Sequence, residues 1–208
     1  MSVLTPAMLA LAILFVAAGC GTSGRAMRSP RPGVTSPPRR ADASTTSTVA
    51  GANTLVTSSL FTVTSAAFAP GGQLPKASTC DGAGTDLPFT WANVPAGTVE
   101  LALSVTDPDA DNYVHWFVAG IDPTIHGLTP GARPKGSVEL VSSAGTAAYA
   151  PPCPPPGETH TYDVTLYALG TKSELTTASS TQNALIKVAS EAAGTAVLTG
   201  DYTRASAS

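Results

Sequence analysis

Apolar and polar residues alternate in several short runs of the chain, and the alternation has the period of a strand. Val99, Leu101, Leu103 and Val105 alternate with Glu100, Ala102 and Ser104, which predicts a strand with one buried face. His160, Tyr162, Val164, Leu166 and Ala168 alternate with Thr161, Asp163, Thr165 and Tyr167, which predicts another. Leu60, Thr62 and Thr64 alternate with Phe61 and Val63 in the same way. The run from Val114 to Ile121 is apolar on both faces, as a central strand would be. Val138 to Val141 is a further candidate, and Val197 to Tyr202 is expected to close the sheet. Pro70-Gly71-Gly72 reads as a turn. One stretch has helical spacing, Asn183 to Ala193, with Thr181 or Asn183 as N-cap and Gly194 just past its end. Leu185, Val188, Ala189 and Ala192 give that helix an apolar stripe. Many short strands between Pro/Gly turns, with one late helix, predict a mainly β chain built as an antiparallel β-sandwich.

The chain before residue 56 follows a different pattern. Residues 7 to 19, AMLALAILFVAAG, form an apolar run too short for an ordinary spanning helix. Small residues Ala17, Ala18 and Gly19 end it, and Cys20 follows. This looks like a bacterial lipoprotein signal over residues 1–19, with cleavage freeing Cys20 for lipid attachment. No Lys or Arg precedes the run, and Ala17 stands where a larger aliphatic residue is commoner. A secretory peptide cut elsewhere, or an uncleaved anchor, is the alternative. Residues 20–55 are rich in Gly, Ser, Thr, Pro, Ala and Arg without apolar periodicity, so a disordered tether is expected there. The folded domain is expected over residues 56–204.

Charge is divided in the same way. The whole chain has a formal net charge of -3, which excludes a general nucleic-acid binder, since no basic surface is implied. Arg25, Arg28, Arg31, Arg39 and Arg40 all fall in the tether, with Asp42 the only acid there. Near anionic headgroups each arginine would contribute on the order of 1 kcal/mol; otherwise they only solubilise.

Candidate chemistry collects around residues 149 to 169, YAPPCPPPGETHTYDVTLYAL. Five prolines make the first half a stiff loop without helix or central strand, and Gly157 releases the constraint. The loop delivers His160 and Tyr162 to one face of a sheet. Asp107 and Asp109 emerge where an earlier strand ends, and an extended Pro108 would put both carboxylates on the same side. His115 is expected to be partly enclosed and to need a partner. Three readings stay open for these residues: a polar pocket for an anionic or zwitterionic ligand, an Asp/His metal site, or a plain Asp-Pro-Asp turn whose acids satisfy the histidines. No G-x-S-x-G elbow or H-E-x-x-H is present, so neither catalysis nor a cofactor is expected. Gly82-Ala83-Gly84 reads as a turn, and His126 is given no role. If Cys20 carries lipid, Cys80 and Cys153 are left as an even pair beyond the membrane, where a disulfide is expected; two buried free thiols are the alternative.

Three ordered motifs resemble the phosphatidylethanolamine-binding protein family, in its bacterial Raf-kinase-inhibitor-like branch. They are Thr79-Cys80-Asp81-Gly82 before Pro88-Phe89-Thr90-Trp91, Asp107-Pro108-Asp109 before His115-Trp116, and Tyr149 with Pro152-Cys153-Pro154-Pro155, His160, Tyr162 and Leu166-Tyr167-Ala168-Leu169. The resemblance spans residues 57 to 204. It implies a sandwich of that family's type, with one C-terminal helix and short peripheral helices. It also implies a pocket of Asp107, Asp109, His115, Pro152, His160 and Tyr162. Backbone amides, His160 and Tyr162 would hold a phosphate, and an acid would receive an ammonium group. Ala150-Pro151 replaces the family's glycine pair, Asp111 stands where a proline is usual, and Ser142-Ser143-Ala144-Gly145 replaces an Asn-Asp pair. The fold is expected to hold, and a changed or weakened pocket stays open.

Two functions follow as expectations. The first is an exported protein, lipid-anchored at the outer face of the cell membrane, that binds a phosphate-like anion or phospholipid headgroup. The second is a protein-interaction module that inhibits an extracytoplasmic protease or kinase through the rim of its loops. A hydrolase or metalloenzyme is the third reading, and nothing beyond the acid, histidine and tyrosine supports it.

Overall fold

A computed structural model describes residues 60–206. The expected signal, Cys20 and the tether lie outside the described residues.

Among the described residues, nine strands and one α-helix follow each other as β1 (Thr62–Thr64), β2 (Gly72–Gln73), β3 (Phe89–Ala92), β4 (Glu100–Asp107), β5 (Tyr113–Ile121), β6 (Gly127–Leu128), β7 (Val138–Glu139), β8 (Thr159–Leu169), α1 (Thr181–Glu191) and β9 (Ala192–Thr203). Single 3-10 turns at Lys76–Ser78 and Pro108–Ala110 are the peripheral helices. Strands β1, β3 and β6 form a small sheet, and the large sheet has the order β2-β9-β8-β4-β5-β7. Every pairing is antiparallel except that of β2 with β9.

The core has two layers because the large sheet is covered on both faces. Val63, Phe89, Trp91 and Leu128 of the small sheet meet Leu101, Leu103, Val105, Trp116, Val118, Val164, Leu166 and Leu198 of the large one. On the opposite face, Ala184 and Val188 of α1 pack with Ala102, Val114, Phe117, Tyr167 and Leu169. Strand β4 is therefore buried on both faces, not one. Its alternating small residues, Ala102 and Ser104, are 0% and 1% exposed. Small side chains leave room for the helix-side layer, and Ser104 lies 3.5 Å from the Tyr167 hydroxyl. Val99, expected inside, stands just before the strand and is exposed.

The helix departs from expectation at both ends. Ser180 is its N-cap, without a side-chain cap hydrogen bond. The Thr181 hydroxyl instead donates to the Val141 carbonyl, at 2.5 Å. The helix stops at Glu191, and Ala192, Ala193 and Gly194 already belong to β9. The reason is non-local. Strand β9 pairs with β8 from Leu169↔Ala192 to Thr159↔Thr203, and that long ladder replaces the last helical turn. The buried stripe shifts accordingly to Ala184 and Val188, with Leu185 half-buried, while Ala189 is exposed.

Candidate functional site

The end of β4, the start of β5 and the start of β8 lie side by side, since Asp107 pairs with Tyr113 and Thr106 with Asp163. This juxtaposition brings Asp107, His115, His160 and Tyr162 together.

Asp107 is 2% exposed. Its Oδ1 accepts from the Asp109 amide at 2.9 Å, which caps the 3-10 turn that starts at Pro108. Its Oδ2 lies 2.7 Å from Nδ1 of His160. The turn means that Pro108 is not extended. Asp109 is exposed, and its Oδ2 accepts from the Thr161 amide at 2.7 Å. Asp111 and Asn112 then adopt left-handed backbone, at φ 53° and 56°, and reverse the chain into β5. Asn and Asp tolerate that conformation best among residues with a Cβ. The Asp-Pro-Asp segment is thus a turn and a site component at once.

His115 is buried, with its Nδ1 2.8 Å from the Ala150 carbonyl. A carbonyl only accepts, so Nδ1 carries the hydrogen and Nε2 presents a lone pair. The Ala150 amide donates back to the His115 carbonyl at 2.8 Å. Nε2 lies 3.9 Å from Asp107 Oδ2, beyond hydrogen-bond distance. The edge of the Tyr162 ring meets His115, with centroids 5.3 Å apart. Tyr162 is 1% exposed. Among the described residues, His115 Nε2 and the Tyr162 hydroxyl are the two buried side-chain polar atoms without a partner.

The two histidines are pushed in opposite directions. Burial lowers the pKa of His115, outweighing the Ala150 carbonyl and the charge of Asp107, so it is neutral at neutral pH. For His160, burial also opposes charge, but the hydrogen bond and charge of Asp107, with Glu158 and Asp109, outweigh it and raise the pKa. Glu158 Oε2 stands 3.6 Å from its Nε2. Burial, followed by the charges of Asp107 and Asp109, raises the pKa of Tyr162 and keeps it a hydroxyl donor.

The proline loop is fastened at several points. Cys80 and Cys153 form a disulfide, with Cα atoms 5.3 Å apart. The Cys80 amide donates to the Pro152 carbonyl at 3.0 Å, and the Tyr149 hydroxyl donates to the Ser78 carbonyl at 3.0 Å. Pro152 is buried, and its recorded polar contact is with this neighbouring loop. Pro151 packs on Gly84, where a Cβ would come 2.7 Å from its Cγ.

Sequence reasoning missed the Ala150 carbonyl and the role of Gly84. It also missed Arg133, which bonds Asp86 and Glu139 at 2.9 and 2.7 Å and stacks 4.9 Å above Trp116. Trp116 Nε1 donates to Glu139 in turn. None of these partners is close in sequence, so no spacing signals them. The His126 carbonyl accepts from the Trp91 amide at 3.0 Å. Two cavities, of about 370 and 420 Å³, are lined by residues around Glu100 and Lys172 and around Lys76 and Arg204; neither includes any of the six expected pocket residues. Among the described residues no cluster of three His, Cys, Asp or Glu could hold a metal ion.

The family model for phosphatidylethanolamine-binding protein matches residues 64–203. The chain belongs to the phosphatidylethanolamine-binding protein family. LppC of Mycobacterium tuberculosis strain H37Rv, whose name marks it as a candidate lipoprotein, is 36% identical over 195 residues, covering 92% of each chain. A UPF0098 protein of the same strain is 42% identical over 149 residues, covering 70% of this chain and 72% of that one. The crystal structure of YbcL from E. coli, described as a member of the mammalian family, superimposes with a TM-score of 0.65 at 30% identity, covering 69% of this chain and 98% of that one. The sandwich of two sheets, with one α-helix among the described residues, is the fold of this family.

Proposed function

We propose that the protein binds a phosphate-bearing small molecule or lipid headgroup at Asp107, His115, His160 and Tyr162. One observation carries the reading: two polar atoms, on side chains 5% and 1% exposed, have no partner at a place where a turn, a strand end and a stiff loop converge. A buried donor or acceptor left unmade costs about 1–3 kcal/mol. A fold keeps such atoms at no structural benefit, and a ligand is what they would serve. Asp109 and Pro152 join the reading as supports, the first through the Thr161 amide and the second through the Cys80 amide. With no nucleophile beside the histidines, the reading is of binding without turnover.

The family's name states a phospholipid ligand, and LppC is named as a candidate lipoprotein. On that support we propose that residues 1–19 are a signal, that lipid on Cys20 holds the protein to the outer face of the cell membrane, and that residues 20–55 are a tether to the domain at 56–204. Calorimetry with inorganic phosphate should give binding in the wild type and loss of it in His160→Ala. Equal affinity in both would remove His160 from the site, and no binding would favour an inhibitor of an extracytoplasmic protease or kinase. Cell fractionation of Cys20→Ser should release the protein from the membrane; unchanged retention would contradict the anchor.

A further inference from the structure

We propose that the cleft at the opposite end of β4 binds a free α-amino acid with an apolar side chain, taken up as the zwitterion. It is the cavity of about 370 Å³ around Glu100 and Lys172, and it shares no residue with the anion site. Strand β4 runs eight residues from Glu100 to Asp107, so the two places lie about 23 Å apart. Three walls meet in the cleft: the end of β5, the segment 135–138, and the loop 172–175 that follows β8. Glu100 holds two of them. Its oxygens accept from the Gly120 amide at 3.1 Å, from the Ser173 amide at 3.0 Å and from the Ser173 hydroxyl. The third wall comes in close because residue 120 has no side chain: a Cβ there would stand 2.9 Å from the Gly136 carbonyl oxygen. Glu100 therefore shapes the cleft and is turned away from any ligand. Asp122 is occupied too, by the Thr124 amide at 2.8 Å and the Thr124 hydroxyl at 2.7 Å. No buried polar atom is unpaired here among the described residues. What remains for a ligand is on the rim, where Lys135, Lys172 and Glu174 have no ion-pair partner among the described residues.

Two features of this lining point to a ligand. The first is the backbone of Glu174. Among the described residues, four positions other than glycine have positive φ: Asn93, Asp111, Asn112 and Glu174, the last at 55°. Asn and Asp tolerate that conformation, and Glu does not share their reason. Strain of this kind persists where the surroundings over-determine it, and it gathers at binding sites. Here Ser173, fixed by Glu100, sets the chain direction, and the carboxylate it presents pairs with nothing in the fold. The second feature is Val99, which lines the cleft while 45% exposed. Val138 and Leu175, both half-buried, line it as well. The cleft thus offers two ammonium groups, one carboxylate and an apolar surface. A ligand that answers all three has a carboxylate, an ammonium and an apolar stem. A free amino acid carries both charges on one carbon. A peptide carries only one of them at each end, so a chain terminus answers half of the site. The volume is that of a small-molecule site.

The test is an amide NMR titration of the full chain in detergent near neutral pH. The probes are leucine, 4-methylpentanoate, which lacks the ammonium, 3-methylbutylamine, which lacks the carboxylate, and glycine, which lacks the stem. Leucine should shift the amides of Val99, Gly136 and Lys172 and leave those of Asp109 and Thr161 in place. Each of the two half-ligands should bind about threefold more weakly than leucine, and glycine about fivefold more weakly. The double variant Lys135→Gln/Lys172→Gln should lower leucine affinity to that of the amine and leave the amine unchanged. Glu174→Gly should lower leucine affinity to that of the acid, while its denaturation midpoint rises because the strain is relieved. A residue kept there for folding would show the reverse, a lower midpoint with leucine affinity unchanged, and would overturn the proposal. Either half-ligand binding as tightly as leucine would overturn it too, as would leucine shifts confined to other amides or no saturable shift at all. Phosphate binding at the far end of β4 is measured separately, and its success or failure leaves this result untouched.

Discussion

Strand β4 buries a carboxylate at each end, and the two ends treat it differently. At the start, Glu100 is 6% exposed, and its oxygens accept from the Gly120 amide, the Ser173 amide and the Ser173 hydroxyl. No polar atom there is left over. At the far end, Asp107 is as deeply buried and bonds the Asp109 amide and His160 Nδ1, but its neighbours His115 and Tyr162 each keep an unpaired atom. The first end is polar burial in the service of folding, tying the segment at Ser173 and the Gly120 amide of β5 to β4. The second has surplus hydrogen-bonding capacity that folding does not use. Burial alone does not separate structural from functional polar groups; complete against incomplete pairing does.

The largest effect that would sharpen this contrast is on the disulfide. Closing a loop of 73 residues stabilises by about 4 kcal/mol in the chain-entropy model, so Cys153→Ser should unfold at markedly lower denaturant. Hydrogen exchange should rise at Cys80 and Ala150, near the site, more than at Gly120 and Ser173; a uniform rise would show the two ends to be one cooperative unit. Next, Glu100→Ala should cost about 3 kcal/mol, because it strands buried donors. Phosphate affinity, measured under folding conditions, should be unchanged, and a parallel loss of affinity would break the contrast. Tyr162→Phe should behave in the opposite way. It removes an unpaired hydroxyl, so stability should hold or rise by up to about 1 kcal/mol while anion binding falls; a large loss of stability would mean that the hydroxyl has a structural partner.

The smallest effect is on pH. His160 has a raised pKa in the folded state, so its pair with Asp107 contributes stability fully below the unfolded value of about 6.5 and loses it as pH rises through the folded value. Anion affinity should decline over the same window. In His160→Ala that decline should vanish, and its persistence would assign the titration to another group.

How much of this was legible in the sequence differs between fold and site. The strands carrying β5 and β8 are written in Val114–Ile121 and in the alternation from His160 to Ala168, because a buried face leaves a local period. The end of α1 is not, since Ala192, Ala193 and Gly194 would suit a helix end and are taken instead by pairing with Leu169 and Ala168. The second buried face of β4 was hidden because its small residues look like a polar face. In the site, the residues that meet were readable from three ordered motifs. Their hydrogen-bond roles were not. The Ala150 carbonyl that orients His115 is backbone, 35 positions away, and backbone has no letter in the sequence. The turn at Pro108, which sends Asp109 to Thr161, is a matter of one dihedral that both readings of Asp-Pro-Asp allowed.

The contact between Gly84 and Pro151 has a consequence for how this chain can change. Gly84 sits at φ +67°, and any side chain there would run into the Pro151 ring. The two positions are therefore not independent in mutational space. With proline at 151 a side chain at 84 would meet the ring, and the positive φ of Gly84 disfavours one in any case. The two loops that the Cys80–Cys153 disulfide joins thus share one packing constraint, and a change at either position is felt at the other.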